Sequence, residues 1–470
     1  MAEQLTPDLC VIGAGTGGLA VAAGAALVGV SVVLVERGRF GGGHARDVAS
    51  KALIAAAMRA ETARRAARFG VDAEPAIDFA RVRAHVEAAV ASAALNHSEA
   101  RIAALGVKIV RGEARFADAD TLLAGENEIR AARFVIATGS LPAIPAIAGL
   151  GQLPYLTTDT ALDLKKLPRH LIVLGAGSSG VELAQVFRRL GAAVTVLESV
   201  TPLAEHDSEC AGVVLDALAR EDIALVTGDP RRVERARKNV RLVFAAAGGE
   251  DTVEGSHLLI ATGRRPNVED LNLEAAGIVF DQRGIHVGRD LVTTNKRVYA
   301  VGDVTGAPQY AQVATFHATM LLRKLLFRRP IDVNVEAVPR VTFTDPELAH
   351  VGLAEAEARL RHGGVRVLRW PYAENDRARA EQATEGMIKL VTTGGGRVVG
   401  ASIVGERAGE LIAFFSLAIN KRLRTGELAG LRPAAMSYAE VIQRVAAGSF
   451  LRRLTNPWVR RIIRLLRARR

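Results

Sequence analysis

"LCVIGAGTGGLAVAAGAALVGVSVVLVE" (residues 9–36) decides the fold. An apolar run ends in Gly13, Gly15 and Gly18 at G-x-G-x-x-G spacing, and a helix-forming stretch follows. Glu36 closes a second apolar run, twenty-three residues after Gly13. Strand, glycine turn, helix and strand in that order predict a dinucleotide-binding unit. The glycines let backbone approach a pyrophosphate at a helix N-terminus, and the terminal acid can bond ribose hydroxyls. A glycine triad alone would equally suit a tight structural turn; the ordered elements around it argue for a nucleotide.

The pattern returns in "HLIVLGAGSSGVELAQVFRRLGAAVTVLE" (170–198), with Gly175, Gly177, Gly180 and Glu198 in the same places. "ESVTPL" (198–203) offers no Arg or Lys to a 2'-phosphate, which favours NADH over NADPH. Two such units in one chain suggest hydride passing from a nicotinamide to a flavin. "FVIATGS" (134–140) and "LLIATGRRPN" (258–267) are near-repeats, a strand followed by Ala-Thr-Gly. They place Thr138, Gly139 and Gly263 where each unit would close. "TTNKRVYAVGDVTG" (293–306) ends another strand at Gly302-Asp303, putting Asp303 where it bonds a ribityl or ribose hydroxyl or merely caps its turn.

From about residue 337 the pattern changes. "PRVTFTDPELAHVGL", "RVLRWPY", "GMIKLVTT" and "RVVGASIVG" predict strands, and "AGELIAFFSLAINKRL" a helix, with no nucleotide signature. The predicted fold is therefore α/β, with two Rossmann-like dinucleotide-binding domains and a C-terminal α+β dimerisation domain. The expected spans are 1–147 and 273–335 for one nucleotide domain, 148–272 for the other and 336–450 for the α+β domain. A basic tail, 451–470, follows.

Composition narrows the class. The chain has 470 residues, 49% of them hydrophobic, enough for roughly three domains of ~150 residues. The net charge is +11, but "LRRLTNPWVRRIIRLLRARR" (451–470) holds eight arginines and no acid, which leaves +3 elsewhere (11 − 8). No nucleic-acid reading module is present, and aromatics are only 4% of the chain. In the tail, Trp458, Ile462, Leu465 and Leu466 would share one helical face, with Arg460, Arg461, Arg464 and Arg467 largely off it. Such a helix would lie on an anionic membrane or pack on its own dimer. Two cysteines, Cys10 and Cys210, are too few for a disulfide framework, and no signal or membrane-spanning run is evident, so a cytoplasmic protein is expected.

With these motifs the chain resembles the flavoprotein pyridine nucleotide-disulfide oxidoreductases, which include dihydrolipoamide dehydrogenase, glutathione reductase and mercuric reductase. "VTFTDPELAHVGL", "YAENDRARAE" and "TEGMIKLV" bring it nearest the mercuric-reductase-like and dihydrolipoamide-dehydrogenase-like branch. The resemblance implies FAD, a nicotinamide cofactor and a homodimer. It also implies a redox disulfide in a G-G-x-C-x-x-x-x-C-x-P-S-K loop. "FGGGHARDVASKALIAAA" (40–57) keeps that frame without its thiols: His44 and Asp47 fall at or near the cysteine positions, and Ala49 replaces the proline. The family's C-terminal His-Pro-x-x-x-Glu segment appears as "AMSYAE" (435–440), keeping Glu440 but with Ala435 in the histidine's place.

What remains is the hydride-accepting half. Lys51 and Glu182 match the family's ion pair beside the flavin N5, while Ala114, Thr138, Gly139 and Asp303 match FAD-contacting positions. His44, Arg46 and Asp47 then either bind substrate or deliver a proton, or they fill the loop. Two ligands, His44 and Asp47, make no metal site without a third. The expected activity is transfer from reduced FAD to an external small-molecule acceptor such as a quinone or dye. Transhydrogenase-like hydride exchange, a specialised organic substrate, or an FAD-binding pseudoenzyme or redox-sensing partner remain as alternatives.

Overall fold

The computed structural model describes residues 3–454 and positions 458, 459, 461, 464 and 467. The amphipathic face expected from Ile462, Leu465 and Leu466 lies outside these. Among the described residues, no helix is long and apolar enough to cross a membrane.

Leu9–Ile12 lies at the centre of a five-stranded parallel sheet, in spatial order Val298–Ala300, Arg133–Ile136, Leu9–Ile12, Val32–Glu36 and Lys108–Arg111. All four of its residues are buried. A parallel strand covered on both faces must read as an unbroken apolar run, and this one does. The second fingerprint repeats the arrangement: His170–Leu174 is central among Leu156–Thr157, His257–Ile260, Ala193–Glu198 and Ala224–Thr227. A three-stranded antiparallel layer, Asp229–Ala236, Asn239–Ala246 and Gly249–Gly255, closes one side of this second core through Leu242 and Phe244.

The C-terminal sheet is antiparallel, in spatial order Arg340–Thr342, Glu347–Gly352, Val398–Gly405, Met387–Thr393 and Val365–Pro371. Its central strand, Val398–Gly405, is buried at all eight positions, with helices Ala408–Asn420 and Glu440–Leu454 packed against the sheet. The α/β class with two Rossmann-like units and an α+β end is thus present.

One element departs from expectation. His44, Arg46 and Asp47, expected in a loop, lie in a 24-residue helix, Gly42–Arg65. Gly41 adopts the left-handed conformation (φ 66°) and redirects the chain in a single residue. After it, no proline interrupts residues 40–57, and Ala and Arg favour helix. This helix packs against both Phe79–Ala94 and the second fold's Ser178–Arg189. At its far end a buried arginine ties the units together: Arg189 Nη2 donates to Glu221 at 2.6 Å and to Asp345 at 2.7 Å, and Arg65 reaches both acids as well.

Candidate functional site

The two glycine turns have the same internal geometry. A Cβ on Gly13 would lie 2.5 Å from the Ala137 carbonyl oxygen, and one on Gly175 would lie 2.5 Å from that of Ala261. On Gly18 it would meet the Gly13 oxygen at 1.9 Å, and on Gly180 the Gly175 oxygen at 2.0 Å. The first and third glycines are therefore demanded by backbone packing. The middle ones are not: a Cβ on Gly15 or Gly177 would meet nothing within 4 Å. Each middle glycine is the N-cap of a helix and supplies no side-chain cap. Open space, uncapped amides and a positive helix end together fit an anionic pyrophosphate.

The acids at the strand ends face these turns. Glu36 accepts from the Ala14 and Gly38 amides, both at 2.6 Å, and Glu198 from Ala176 at 2.7 Å and Ser199 at 2.8 Å. Each carboxylate thus braces its own glycine turn, while a carboxylate's spare lone pairs can still take a ribose hydroxyl.

The two Ala-Thr-Gly repeats meet each other. Their continuations, Ser140–Pro142 and Arg264–Pro266, pair as an antiparallel ribbon. Thr138 Oγ1 donates to the Asn267 carbonyl at 2.7 Å, and Thr262 Oγ1 donates to that of Ala143 at 2.8 Å. Gly139 and Gly263 have positive φ (70° and 104°) and open space beside them. Asp303 sits in the turn Gly302–Thr305 and accepts from Ser140 Oγ at 2.6 Å. Arg264 donates to Ser140 Oγ and Asp159, each at 2.8 Å, and Asp159 also pairs with Arg46. A polar chain therefore runs from Arg46 through Asp159, Arg264 and Ser140 to Asp303. Ala114 is buried in Ala114–Phe116, part of a small separate sheet.

Lys51 and Glu182 do meet. Lys51 Nζ lies 3.4 Å from Glu182 Oε2 and 3.7 Å from the centroid of the Phe343 ring. Glu182 is buried in the second fold's nucleotide helix, and its other oxygen accepts from the Phe343 amide at 2.7 Å. One lysine is thus held jointly by residues from the two other units.

His44 packs its ring against His97, centroids 4.1 Å apart. Burial lowers the His44 pKa and His97 lowers it further, while Asp47 opposes. Asp47 opens onto a cleft, yet the surrounding protein desolvates its carboxyl and pushes its pKa upward; Lys51, Arg46 and His44 oppose this and Asp303 reinforces it. Glu440 stands apart. It accepts from the Met436 amide at 2.7 Å and pairs with Arg444 in its own unit. Cys10 and Cys210 are free and buried, in Leu9–Ile12 and Ser208–Arg220.

This architecture has relatives. Residues 7–318 match the pyridine nucleotide-disulphide oxidoreductase family, and residues 338–446 match that family's dimerisation domain. The chain belongs to this family. It is 37% identical over 457 residues to a mercuric reductase of Streptomyces lividans, covering 94% of this chain and 96% of the relative. A dihydrolipoyl dehydrogenase of Geobacillus stearothermophilus is 32% identical over 434 residues, covering 90% and 92%. Among solved structures, LpdA of Mycobacterium tuberculosis superposes with a TM-score of 0.85 at 27% identity, covering 97% of this chain and all of that one. The family binds FAD and uses NAD(P)H.

Several residues at this site escaped the sequence. Phe343 read only as part of a strand, Ser140 and Arg264 only as the ends of the Ala-Thr-Gly repeats, and Asp159 and His97 carried no signal. Their partners lie far away in the chain: Ser140 is 163 residues from Asp303, and Phe343 is 161 from Glu182. Ser140 and Arg264, each directly after an Ala-Thr-Gly repeat, stood beside a motif.

Proposed function

We propose that the chain is an NAD(P)H-dependent flavoprotein that passes electrons from reduced FAD straight to a small external acceptor, such as a quinone or dye, without a redox disulfide. One observation carries this: residues 40–57 hold no cysteine, and the chain's two thiols are buried in other elements. Thiol chemistry needs an accessible thiolate. Burial instead pushes the Cys210 thiol up to about 12 and raises Cys10 as well.

FAD would occupy the first fold through Gly13, Gly15, Gly18, Glu36, Ala114, Thr138, Gly139 and Asp303. NADH would occupy the second through Gly175, Gly177, Gly180, Glu198 and Gly263. When bound, the flavin supplies two-electron acceptance from nicotinamide and onward transfer. The chain's own part is positioning. Glu182 and Phe343 hold the Lys51 ammonium in one place, where it stabilises negative charge. His44, whose pKa burial and His97 lower, fills or lines the acceptor side. NADH is preferred because Glu198 meets no cation in residues 198–203. A homodimer through the C-terminal domain would let Glu440 of each chain serve the other's site.

The test is anaerobic mixing of the holoprotein with NADH, followed at the flavin band near roughly 450 nm. Rapid bleaching, recovery on adding a quinone and indifference to thiol-blocking reagents are expected. A flavin that stays oxidised with both NADH and NADPH would refute the assignment and leave the pseudoenzyme alternative.

A further inference from the structure

Helix Ser178–Arg189, which follows the second glycine turn, is bonded along one face to residues 342–345 of the C-terminal unit. Thr342 Oγ1 donates to Ser178 Oγ at 2.7 Å, the Phe343 amide to Glu182 at 2.7 Å and the Asp345 amide to Gln185 at 2.8 Å. Arg189 Nη2 then donates to Asp345 at 2.7 Å. Helix and segment therefore run in the same direction, in step. From Ser178 to Gln185 the helix rises about 10 Å, and an extended chain covers about the same distance from Thr342 to Asp345.

This register places Arg340. Two residues before Thr342, it lies about 7 Å beyond the level of Ser178, in front of the helix N-terminus. Arg340–Thr342 is a strand, so the Arg340 and Thr342 side chains leave it on the same face, the one that meets Ser178. The Arg340 charge accordingly acts on His206, 3.1 Å from Ser178 Oγ, and on Tyr310, which also bonds Ser178. Arg340 is half-buried, and among the described residues it makes no ion pair and no side-chain hydrogen bond.

We propose that Arg340 binds the pyrophosphate of the nicotinamide cofactor, completing the second fold's site from the C-terminal unit. The proposal rests on that fold taking NADH, as above, and adds the cation that the fold itself does not supply. A pyrophosphate is anionic on both phosphates, and the uncapped amides after Gly177 carry only partial positive charge. Glu205, which accepts from Ser178 Oγ at 3.1 Å, puts a further carboxylate at the same helix end. Residues 198–203 hold no Lys or Arg, and Arg264 is engaged by Asp159. The planar fork of Arg340 matches two phosphate oxygens at once and offsets Glu205. Three residues further on, Phe343 touches Lys51. One short segment thus holds the cofactor's phosphates in register with the lysine at the flavin side.

ADP-ribose serves as the probe, because it carries the pyrophosphate without the nicotinamide. Titrated calorimetrically into the oxidised, FAD-loaded protein, it should bind wild type with an affinity that falls as salt is added. Arg340→Met, which keeps a long unbranched side chain, should weaken binding about tenfold or more and flatten the salt dependence. Arg340→Lys should recover part of the affinity, since it restores the charge without the fork. Retained flavin and thermal melts report that each variant is folded. Wild-type affinity in Arg340→Met would overturn the proposal. So would equal weakening in both variants with the salt dependence of wild type, the mark of a purely structural arginine. Absence of ADP-ribose binding by wild type would instead refute the NADH site on which the proposal rests.

Discussion

Replacing Glu182 separates the two tasks of its carboxylate. One oxygen accepts from the Phe343 amide at 2.7 Å and the other faces Lys51 Nζ at 3.4 Å. At 3.4 Å and an effective dielectric of ~20, the ion pair is worth about 5 kcal/mol before screening. The Lys51 side chain is 43% exposed, which brings the net contribution down to about 1 kcal/mol or less. Glu182→Gln keeps an oxygen for Phe343 and loses only the charge, so a stability loss of about 1–2 kcal/mol is expected. Glu182→Ala also leaves a partly buried amide unpaired, for a total loss of about 3 kcal/mol. If Lys51 acts through its held position, both variants should slow flavin reduction by NADH about tenfold, equivalent to about 1.4 kcal/mol of barrier. Urea unfolding of the holoprotein and stopped-flow bleaching measure the two effects. A Gln variant reduced at the wild-type rate, beside a slow and unstable Ala variant, would show that the carboxylate only holds the fold.

Two further outcomes follow from geometry. Gly177→Ala adds a methyl in open space, so folding should be nearly unaffected while KM for NADH rises about tenfold or more, whereas Gly180→Ala collides with the Gly175 carbonyl and should lose several kcal/mol of stability; steady-state kinetics and thermal melts distinguish them, and equal effects would refute the pyrophosphate assignment. His317, 2% exposed, accepts from the Gly302 amide through Nδ1, and burial lowers its pKa to about 4. Its folded value lies below its unfolded one, so its contribution is whole above about pH 6.5 and is lost as pH falls toward 4, by about 3 kcal/mol. His317→Gln should flatten that part of the stability–pH curve, although His350, also lowered to about 4, adds a similar slope; an unchanged curve would refute the assignment.

The nucleotide folds were legible because their constraints are local. Gly13 and Gly18 must lack a Cβ within one turn of chain, and strand burial writes itself as apolar runs. The helix at His44–Asp47 was not legible, because the resemblance supplied a loop and only the left-handed Gly41 shows where the helix begins. The Lys51–Glu182 pair came from the resemblance, yet Phe343, which touches both, did not. Nothing in a strand's alternation says which side chain will meet a lysine nearly three hundred residues earlier. Arg46 is similar: its charge suggested a ligand, and its partner Asp159 belongs to another unit.

The ribbon of Ser140–Pro142 with Arg264–Pro266 has a consequence for the molecule's modularity. Every strand of the second parallel sheet and of its antiparallel layer falls between these two segments, and every strand of the first parallel sheet falls outside them. The second fold is therefore an insertion whose two ends emerge side by side, Pro142 opposite Arg264. Paired residues of neighbouring antiparallel strands are about 5 Å apart, a gap a two-residue turn bridges. Splicing such a turn in place of residues 143–263 would leave all five strands of the first sheet and its glycine turn in one continuous chain. The first fold is thus topologically complete without the second, and the pair can be viewed as a host and its graft.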